Sequence, residues 1–198
     1  GNIMIITEPK ALKQALTSIK RVTLKRDKRN QNNTLTKINV RSERDTLTVI
    51  ACNGHVITRR VFKTGDDPEH AHVDFNVLID PAVIPSNIPT DRITISEDMK
   101  MLTFYKADAG GLRYIPLSLP VTPCDDNGNK YINDAEIINA PYPGERAIHF
   151  NKASLLNAIN AATSNDIIVL NMPESPLAPM YINGLSEYGD TMILPLRK

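Results

Sequence analysis

The apolar pattern at the start of the chain predicts a short strand followed by a helix. Ile3 to Ile6 form an apolar run, and Thr7 and Pro9 are residue types that cap and open a helix. The next apolar residues recur at three- and four-residue spacing, which is typical of an amphipathic helix. They are Ala11, Leu12, Ala15, Leu16, Ile19 and Val22, and they leave Lys10, Lys13, Gln14, Thr17, Lys20 and Arg21 for the other side.

Three strand patterns follow a polar loop that runs from Lys25 to Asn33. The strands are predicted at Leu35–Arg41, Thr46–Cys52 and Val56–Phe62. Asn53-Gly54 separates the last two, and this dipeptide favours a tight hairpin turn. The predicted order of the first round is therefore β-α-β-β-β.

A second round follows, with a weaker helix. Strands are predicted at Val73–Ile79, Arg92–Ser96, Met99–Ala107 and Leu112–Leu117, with a helix-like segment at Pro81–Asn87. Pro81, Pro85 and Pro89 leave room for only about one helical turn, because each proline removes an amide donor and clashes with the preceding turn.

A third round begins after Pro120–Gly144, which holds four prolines and the polar cluster Asp125–Asn129. Asn151 is a predicted cap for a helix at Lys152–Ala162. Strands are predicted at Ala147–Phe150, Ile167–Met172, Met180–Asn183 and Thr191–Arg197. We therefore predict an α+β fold of repeated β-α-β-β-β units: residues 2–119 form a domain of two units, 120–144 a linker or insertion, and 145–198 a third unit. The same order of elements also fits an unrelated α+β protein.

Charge is distributed unevenly along the 198 residues. Residues 1–62 contain 13 Lys and Arg against 4 Asp and Glu, whereas residues 63–146 contain 7 against 14. A basic segment of this kind indicates a surface for a polyanion, or else a solvated face. No apolar run reaches the roughly 18 residues of a membrane span, so we expect no membrane association and a cytoplasmic location.

The residues that carry catalysis or bind metals do not form recognisable motifs. Cys52 and Cys124 lack the spacing of a zinc site, and Cys52 is expected to be buried as a small hydrophobe. Asp125 to Glu136 has the length of a calcium loop, but Lys130 occupies the place of the required glycine. His70 and His72 have no third ligand near them in sequence. We expect a protein that is not an enzyme, with no metal and no cofactor.

Three segments resemble the bacterial DNA sliding clamp family, the beta subunit of DNA polymerase III. Asp45–Val56 resembles the family's strand that ends in Ala-Thr-Asp-Gly-His-Arg. Ile148–Ile159 resembles its Phe-Asn strand-to-helix junction, and Thr191–Arg197 is similar to its closing strand, which ends in Met-Pro-Met-Arg. The segments also occur in the family's order. The resemblance implies a DNA-clamp-type fold.

The resemblance also implies a groove that binds peptide motifs of replication or repair proteins. Carried over by position, its residues are Cys52, Gly54, His55, Val56, Ile57, Asn151, Ser154, Met192, Leu194, Pro195 and Leu196. The simpler alternative is that Met192, Leu194 and Leu196 point into the core of a final strand. Val56 stands where the family carries an Arg, so that contact does not transfer.

The family further implies contact with double-stranded DNA without sequence specificity. The candidate DNA-binding residues are Lys10, Lys13, Lys20, Arg21, Lys25, Arg26, Lys28 and Arg29. A clamp chain has six such units, whereas only three are predicted here, so a ring would require a homo-oligomer. The resulting hypothesis is a DNA-associated processivity or scaffold factor, and the alternative is a clamp-fold interaction module that does not encircle DNA.

Overall fold

The computed structural model describes residues 3–65, 72–107, 114–125, 128–138, 147–186 and 191–197. The chain divides into two compact units, Gly1–Ile138 and Asn139–Lys198, and each is described by itself. Within the described ranges, no helix has the length and apolar character needed to cross a membrane.

The described residues of unit 1 form nine strands, two α-helices and three short 3₁₀ turns. The helices are α1 (Pro9–Ile19) and α2 (Asp134–Ile138), and the 3₁₀ turns are Lys20–Val22, Thr34–Thr36 and Pro81–Val83. The strands are β1 (Met4–Ile6), β2 (Ile38–Glu43), β3 (Thr46–Cys52), β4 (Ile57–Gly65), β5 (Phe75–Ile79), β6 (Arg92–Ile95), β7 (Met101–Ala107), β8 (Tyr114–Pro120) and β9 (Thr122–Pro123).

The nine strands form one antiparallel sheet in the order β8-β7-β6-β1-β4-β3-β2-β5-β9. β1 joins the two halves, because Ile5 pairs with Gly65 of β4 on one side and with Arg92 of β6 on the other. The first two predicted rounds therefore share one continuous sheet.

The main core of unit 1 lies between the sheet and the apolar face of α1. Leu12, Ala15, Leu16 and Ile19 are all buried there, as their spacing predicts. Burial of each leucine or isoleucine side chain among them contributes roughly 1.5–3 kcal/mol. This packing fixes the direction of α1, so its polar face is turned away from the core.

Helix starts in unit 1 agree only in part with the sequence prediction. Pro9 begins α1 as predicted, but Thr7 does not cap it; its hydroxyl donates to Lys63 O at 2.9 Å, because β1 lies beside β4. The helix-like segment at Pro81–Asn87 forms only the predicted single turn. Asp80 caps this turn by accepting from Ala82 N at 2.9 Å.

The chain between Pro120 and Ile138 belongs to unit 1. β9 extends the sheet beside β5, and Tyr131 packs with Ile50 and Leu78 in a second, smaller core. Ile50 alternates along β3 with the main-core residues Val49 and Ala51, so this small core lies on the other side of the sheet. Among the described residues of the predicted linker or insertion, β9 thus belongs to the sheet and Tyr131 packs on it.

In unit 2, residues 147–186 and 191–197 form one helix and three strands: α3 (Lys152–Ala162), β10 (Ile168–Asn171), β11 (Met180–Gly184) and β12 (Thr191–Ile193). The strands form an antiparallel sheet with β11 in the middle. Met180, Ile182 and Ile193 are its buried residues, and Leu155, Ala158 and Ile159 of α3 pack on them. The strand predicted at Ala147–Phe150 does not form. A backbone hydrogen bond joins this segment to the residues that follow β12: Leu196 N donates to His149 O at 2.7 Å.

Candidate nucleic-acid and peptide interfaces

The polar face of α1 forms a shallow basic groove. Its volume is about 410 Å³, and it is lined by Lys10, Lys13, Gln14, Thr17, Ser18 and Arg21. Five residues of α1 and Arg21 of the following 3₁₀ turn share one side because the buried stripe Leu12, Ala15, Leu16 and Ile19 occupies the other. The walls are mostly the aliphatic stems of these side chains, so the charged groups stand at the rim.

Three of the eight predicted DNA-binding residues also anchor the proline-rich loop that follows β5. Lys13 Nζ donates to Asn87 Oδ1 at 2.5 Å, and Lys20 Nζ donates to Ile84 O. Arg26 pairs with Asp80 at 3.2 Å. These three cations therefore have a structural role that sequence reasoning missed: they hold the proline-rich loop in place.

The other five predicted DNA-binding residues are Lys10, Arg21, Lys25, Lys28 and Arg29, and all five are exposed. The loop that carries the last three is ordered by Asp27 and Asn30. Asp27 Oδ1 accepts from Arg29 N at 2.7 Å and from Asn30 N at 3.0 Å, while Asn30 Nδ2 donates to Lys25 O at 2.7 Å. Lys25, Lys28 and Arg29 therefore belong to a turn that hydrogen bonds hold in place.

The Asn53-Gly54 turn forms the predicted hairpin between β3 and β4. Asn53 Oδ1 accepts from His55 N at 2.9 Å and from Val56 N at 2.8 Å. Gly54 has a φ of +91°, in the region that favours glycine. His55 and Val56 are exposed, and Ile57 is half-buried. Cys52 is half-buried as well rather than fully buried, because it lies at the end of its strand, where Gly54 N donates to its Sγ.

The closing segment of unit 2 exposes its even-numbered apolar residues. Met192, Leu194 and Leu196 are 48%, 66% and 51% exposed, whereas Ile193 between them is buried. Met192 lies beside the exposed Tyr181 in the β11–β12 pairing. The alternative that these three residues fill the core is therefore wrong. Pro195, a further predicted groove residue, is half-buried.

The predicted cap of α3 is confirmed. Asn151 Oδ1 accepts from Ser154 N at 3.0 Å, and both side chains are exposed. The predicted peptide groove draws its residues from both units. Cys52, Gly54, His55, Val56 and Ile57 lie in unit 1, and Asn151, Ser154, Met192, Leu194, Pro195 and Leu196 lie in unit 2. The groove as a whole stays a prediction.

An ion-pair cluster that the sequence did not indicate lies on the side of the sheet away from α1. Asp134 is buried and accepts from Arg41 Nη1 and Arg59 Nη1, each at 3.1 Å. Burial disfavours its charged form, but the hydrogen bonds from Arg41 and Arg59 outweigh burial and hold the pKa of Asp134 below its usual value. Asp134 is far from both arginines in sequence, so no spacing marks the cluster.

The residues considered for metal binding do not converge in the described part of the chain, where no group of three His, Cys, Asp or Glu side chains is arranged for a metal ion. In the loop of calcium length, Asp126 and Asn127 lie outside the described residues. His70 also lies outside them, while His72 Nε2 is 2.8 Å from Asp74 Oδ1.

Comparison with known proteins finds solved structures that share the fold of this chain. No family model and no curated protein sequence matches the chain. Among solved structures, the chain is similar to a DNA polymerase sliding clamp from Bacillus subtilis, with 18% identity, a TM-score of 0.62, and coverage of 98% of this chain and 48% of the clamp. It is also similar to a putative DNA polymerase III beta subunit from Eubacterium rectale, with 16% identity, a TM-score of 0.65, and coverage of 98% and 50%.

A third similar structure is a DnaN sliding clamp from Bartonella birtlesii bound to griselimycin, with 12% identity and a TM-score of 0.50; 91% of this chain and 46% of that clamp are covered. This chain therefore spans about half the length of the clamps that it matches. The predicted clamp-type fold of mixed helices and antiparallel strands is confirmed. The chain is a divergent protein with the fold of the bacterial DNA polymerase III beta sliding clamps.

Proposed function

We propose that this protein is a non-catalytic, cytoplasmic, sliding-clamp-like factor that associates with double-stranded DNA and holds partner peptides. The observation that carries the DNA part is the basic surface of unit 1, where the exposed cations Lys10 and Arg21 line the groove on α1. Lys25, Lys28 and Arg29 extend the same charge into the following loop. The fold supplies the context, since clamps of about twice this length share it.

Lysine and arginine on a helix face contact phosphates without reading bases. Such contacts release condensed counterions, so affinity falls as salt rises, with a log–log slope of about −0.9 per neutralised phosphate. We expect five exposed cations to give a slope of about −3 to −4 if most of them engage. Sequence changes in the duplex should have little effect.

The test is a salt titration of a fluorescent 30-base-pair duplex, read by anisotropy. Lys10→Glu with Arg21→Glu should lower affinity about tenfold or more near 0.1 M salt and flatten the slope. Lys100→Glu, a single charge reversal at an exposed turn between β6 and β7, is the matched control for each of the two substitutions made singly. Equal binding by all three proteins, or no binding by the parent at low salt, overturns the DNA proposal.

Charge reversal at Lys13 and Lys20 is a poorer test. Both residues hold the proline-rich loop, so their loss would disturb the fold together with the charge. The side chains of Lys10 and Arg21 have no hydrogen-bond partner among the described residues. Their substitution therefore changes the charge without breaking a side-chain hydrogen bond.

The peptide part of the proposal rests on unit 2. Met192, Leu194 and Leu196 with Tyr181 form an exposed apolar strip, and aliphatic and Met side chains around a few polar groups suit an extended peptide. Griselimycin is a suitable probe because a structurally similar clamp binds it. Calorimetry should show binding to the parent and a loss of about tenfold or more for Leu194→Asp; Leu177→Asp, at another exposed leucine of unit 2, should bind as the parent does.

A clamp-fold interaction module that does not encircle DNA is the second candidate. It is compatible with the coverage, because these residues match about half the length of a clamp subunit. This candidate predicts griselimycin binding that depends on Leu194, with no salt-dependent DNA binding. The first candidate requires both activities and a homo-oligomer, which mass measurement in the presence of circular DNA would detect.

A further inference from the structure

A second cavity of unit 1 shares Lys10 and Lys13 with the basic groove. Its volume is about 400 Å³. Lys10 and Lys13 of α1 form one wall, residues 87–91 of the proline-rich loop form another, and Lys106 of β7 completes it. The cavity lies beside the loop that replaces a full helix in the second β-α-β-β-β round, where only the turn Pro81–Val83 forms.

The charge of the cavity favours an anion. Among the described lining residues, three lysines stand against one carboxylate, Asp91, and that carboxylate already accepts from Ala107 N at 2.9 Å. Lys13 uses one of its three N–H donors on Asn87. The remaining ammonium donors come from two separate elements, α1 and β7, so they can approach one anion from two sides.

The walls of the cavity are held in place before any ligand arrives. Thr90 is buried, and its hydroxyl donates to Pro9 O at 2.7 Å, which ties the loop to the first turn of α1. The Lys13–Asn87 bond ties it again one turn further along. A preorganised site loses less conformational entropy on binding than an exposed pair of lysines does.

We propose that this cavity binds one backbone phosphate of DNA and that Lys106 is a DNA-contacting residue opposite Lys10 and Lys13. The proposal rests on the proposed function and adds a contact outside the basic segment 1–62. Lys106 belongs to the part of the chain that is acidic in sum, so the charge pattern along the sequence does not reveal it. A phosphodiester carries one negative charge, which the excess of ammonium groups can neutralise.

The binding test compares Lys106→Ala with the parent and with Lys100→Ala in the duplex titration. Loss of one phosphate contact should reduce the salt slope by about one and weaken binding roughly three- to tenfold at low salt. Lys100→Ala should match the parent. Lys106 is exposed, so the variant should fold normally, as circular dichroism would verify.

Amide chemical shifts locate the ligand. A 12-base-pair duplex should shift the amide signals of Thr90, Asp91 and Ala107, and inorganic phosphate at millimolar concentration should shift the same signals more weakly. Shifts with the duplex and a reduced slope for Lys106→Ala support the proposal. Shifts with inorganic phosphate alone overturn DNA as the source of the phosphate.

The two proposals fail in distinguishable ways. If Lys10→Glu with Arg21→Glu weakens DNA binding but Lys106→Ala behaves as the parent, the cavity proposal is overturned and the proposed function stands. If the parent binds no duplex at low salt, both are overturned.

Discussion

Lys13 Nζ lies 2.5 Å from Asn87 Oδ1, joining α1 to a loop 74 residues further along the chain. Lys20 and Arg26 make parallel attachments to Ile84 and Asp80. The basic segment therefore does two things: some of its charges hold the proline-rich loop on unit 1, and others remain exposed for a polyanion. The charge of a residue does not show which of the two roles it has. The hydrogen-bond or ion-pair partner of its side chain shows it.

We predict energetic coupling between Lys13 and Asn87. Lys13→Met and Asn87→Ala should each lower the free energy of unfolding by about 0.5–1.5 kcal/mol, since a bond to a charged donor at a partly exposed site is of that order. The double variant should lose less than the sum of the two, which urea unfolding in a double-mutant cycle measures. Strict additivity would show that the bond has no stabilising effect.

Removal of the Asp134 carboxylate should destabilise unit 1. Asp134→Ala leaves Arg41 and Arg59 without their shared acceptor, and Arg41 Nε lies 3.3 Å from Glu43 Oε1 without hydrogen-bond geometry. Breaking a fully buried pair costs about 3–5 kcal/mol; because the arginine side chains are 23% exposed, we expect about 2–3 kcal/mol. Glu136→Gln, on the exposed side of α2, should change stability by less than about 0.5 kcal/mol. Equal urea midpoints for both variants would contradict this account.

The same carboxylate predicts a pH dependence of stability. Its pKa is lowered in the folded state, so its contribution is present above the unfolded value of about 3.9 and is lost as pH falls through the lower folded value. The urea midpoint of the parent should therefore fall more steeply between pH 5 and pH 2 than that of Asp134→Asn, which has no carboxylate to protonate there. Parallel curves would show that Asp134 is not the group responsible.

Neighbouring residues of the closing segment should respond in opposite ways to truncation. Ile193 is buried in the core of unit 2, so Ile193→Ala should cost about 2–4 kcal/mol of local stability. Leu194 is exposed, so Leu194→Ala should cost less than about 0.5 kcal/mol. Hydrogen exchange of the amides in β11 would report both effects. A larger loss for Leu194→Ala would place the apolar strip in the core.

Local sequence signals were most informative where one residue decides the geometry. Asn53-Gly54 gave the hairpin, Pro9 the start of α1 and Asn151 the cap of α3, because each acts on its immediate neighbours. Thr7 failed as a cap because a distant strand, through Lys63, offered its hydroxyl another acceptor. Residues 147–150 do not form the predicted strand, because a strand requires a hydrogen-bonded partner strand along its whole length.

The interfaces were less predictable than the elements. The apolar residues of Thr191–Arg197 predicted that one side of the segment is buried, but they did not show which side. Ile193 packs against α3, so its side is the buried one. Asp134 carried no signal, because its partners Arg41 and Arg59 are brought to it only by the fold, and the place of Lys106 beside α1 is likewise a product of the fold. The basic segment was visible in the sequence, but its division into loop anchors and exposed cations was not.

The central claim is that this clamp-type fold associates with DNA as a topological scaffold. Retention on closed circular plasmid compared with the same plasmid after linearisation tests it most directly, in salt high enough to remove simple phosphate binding. The account predicts that protein assembled on the circle is retained and is then released when the circle is cut. Equal release from circular and linear DNA, or no association with either at low salt, would contradict it.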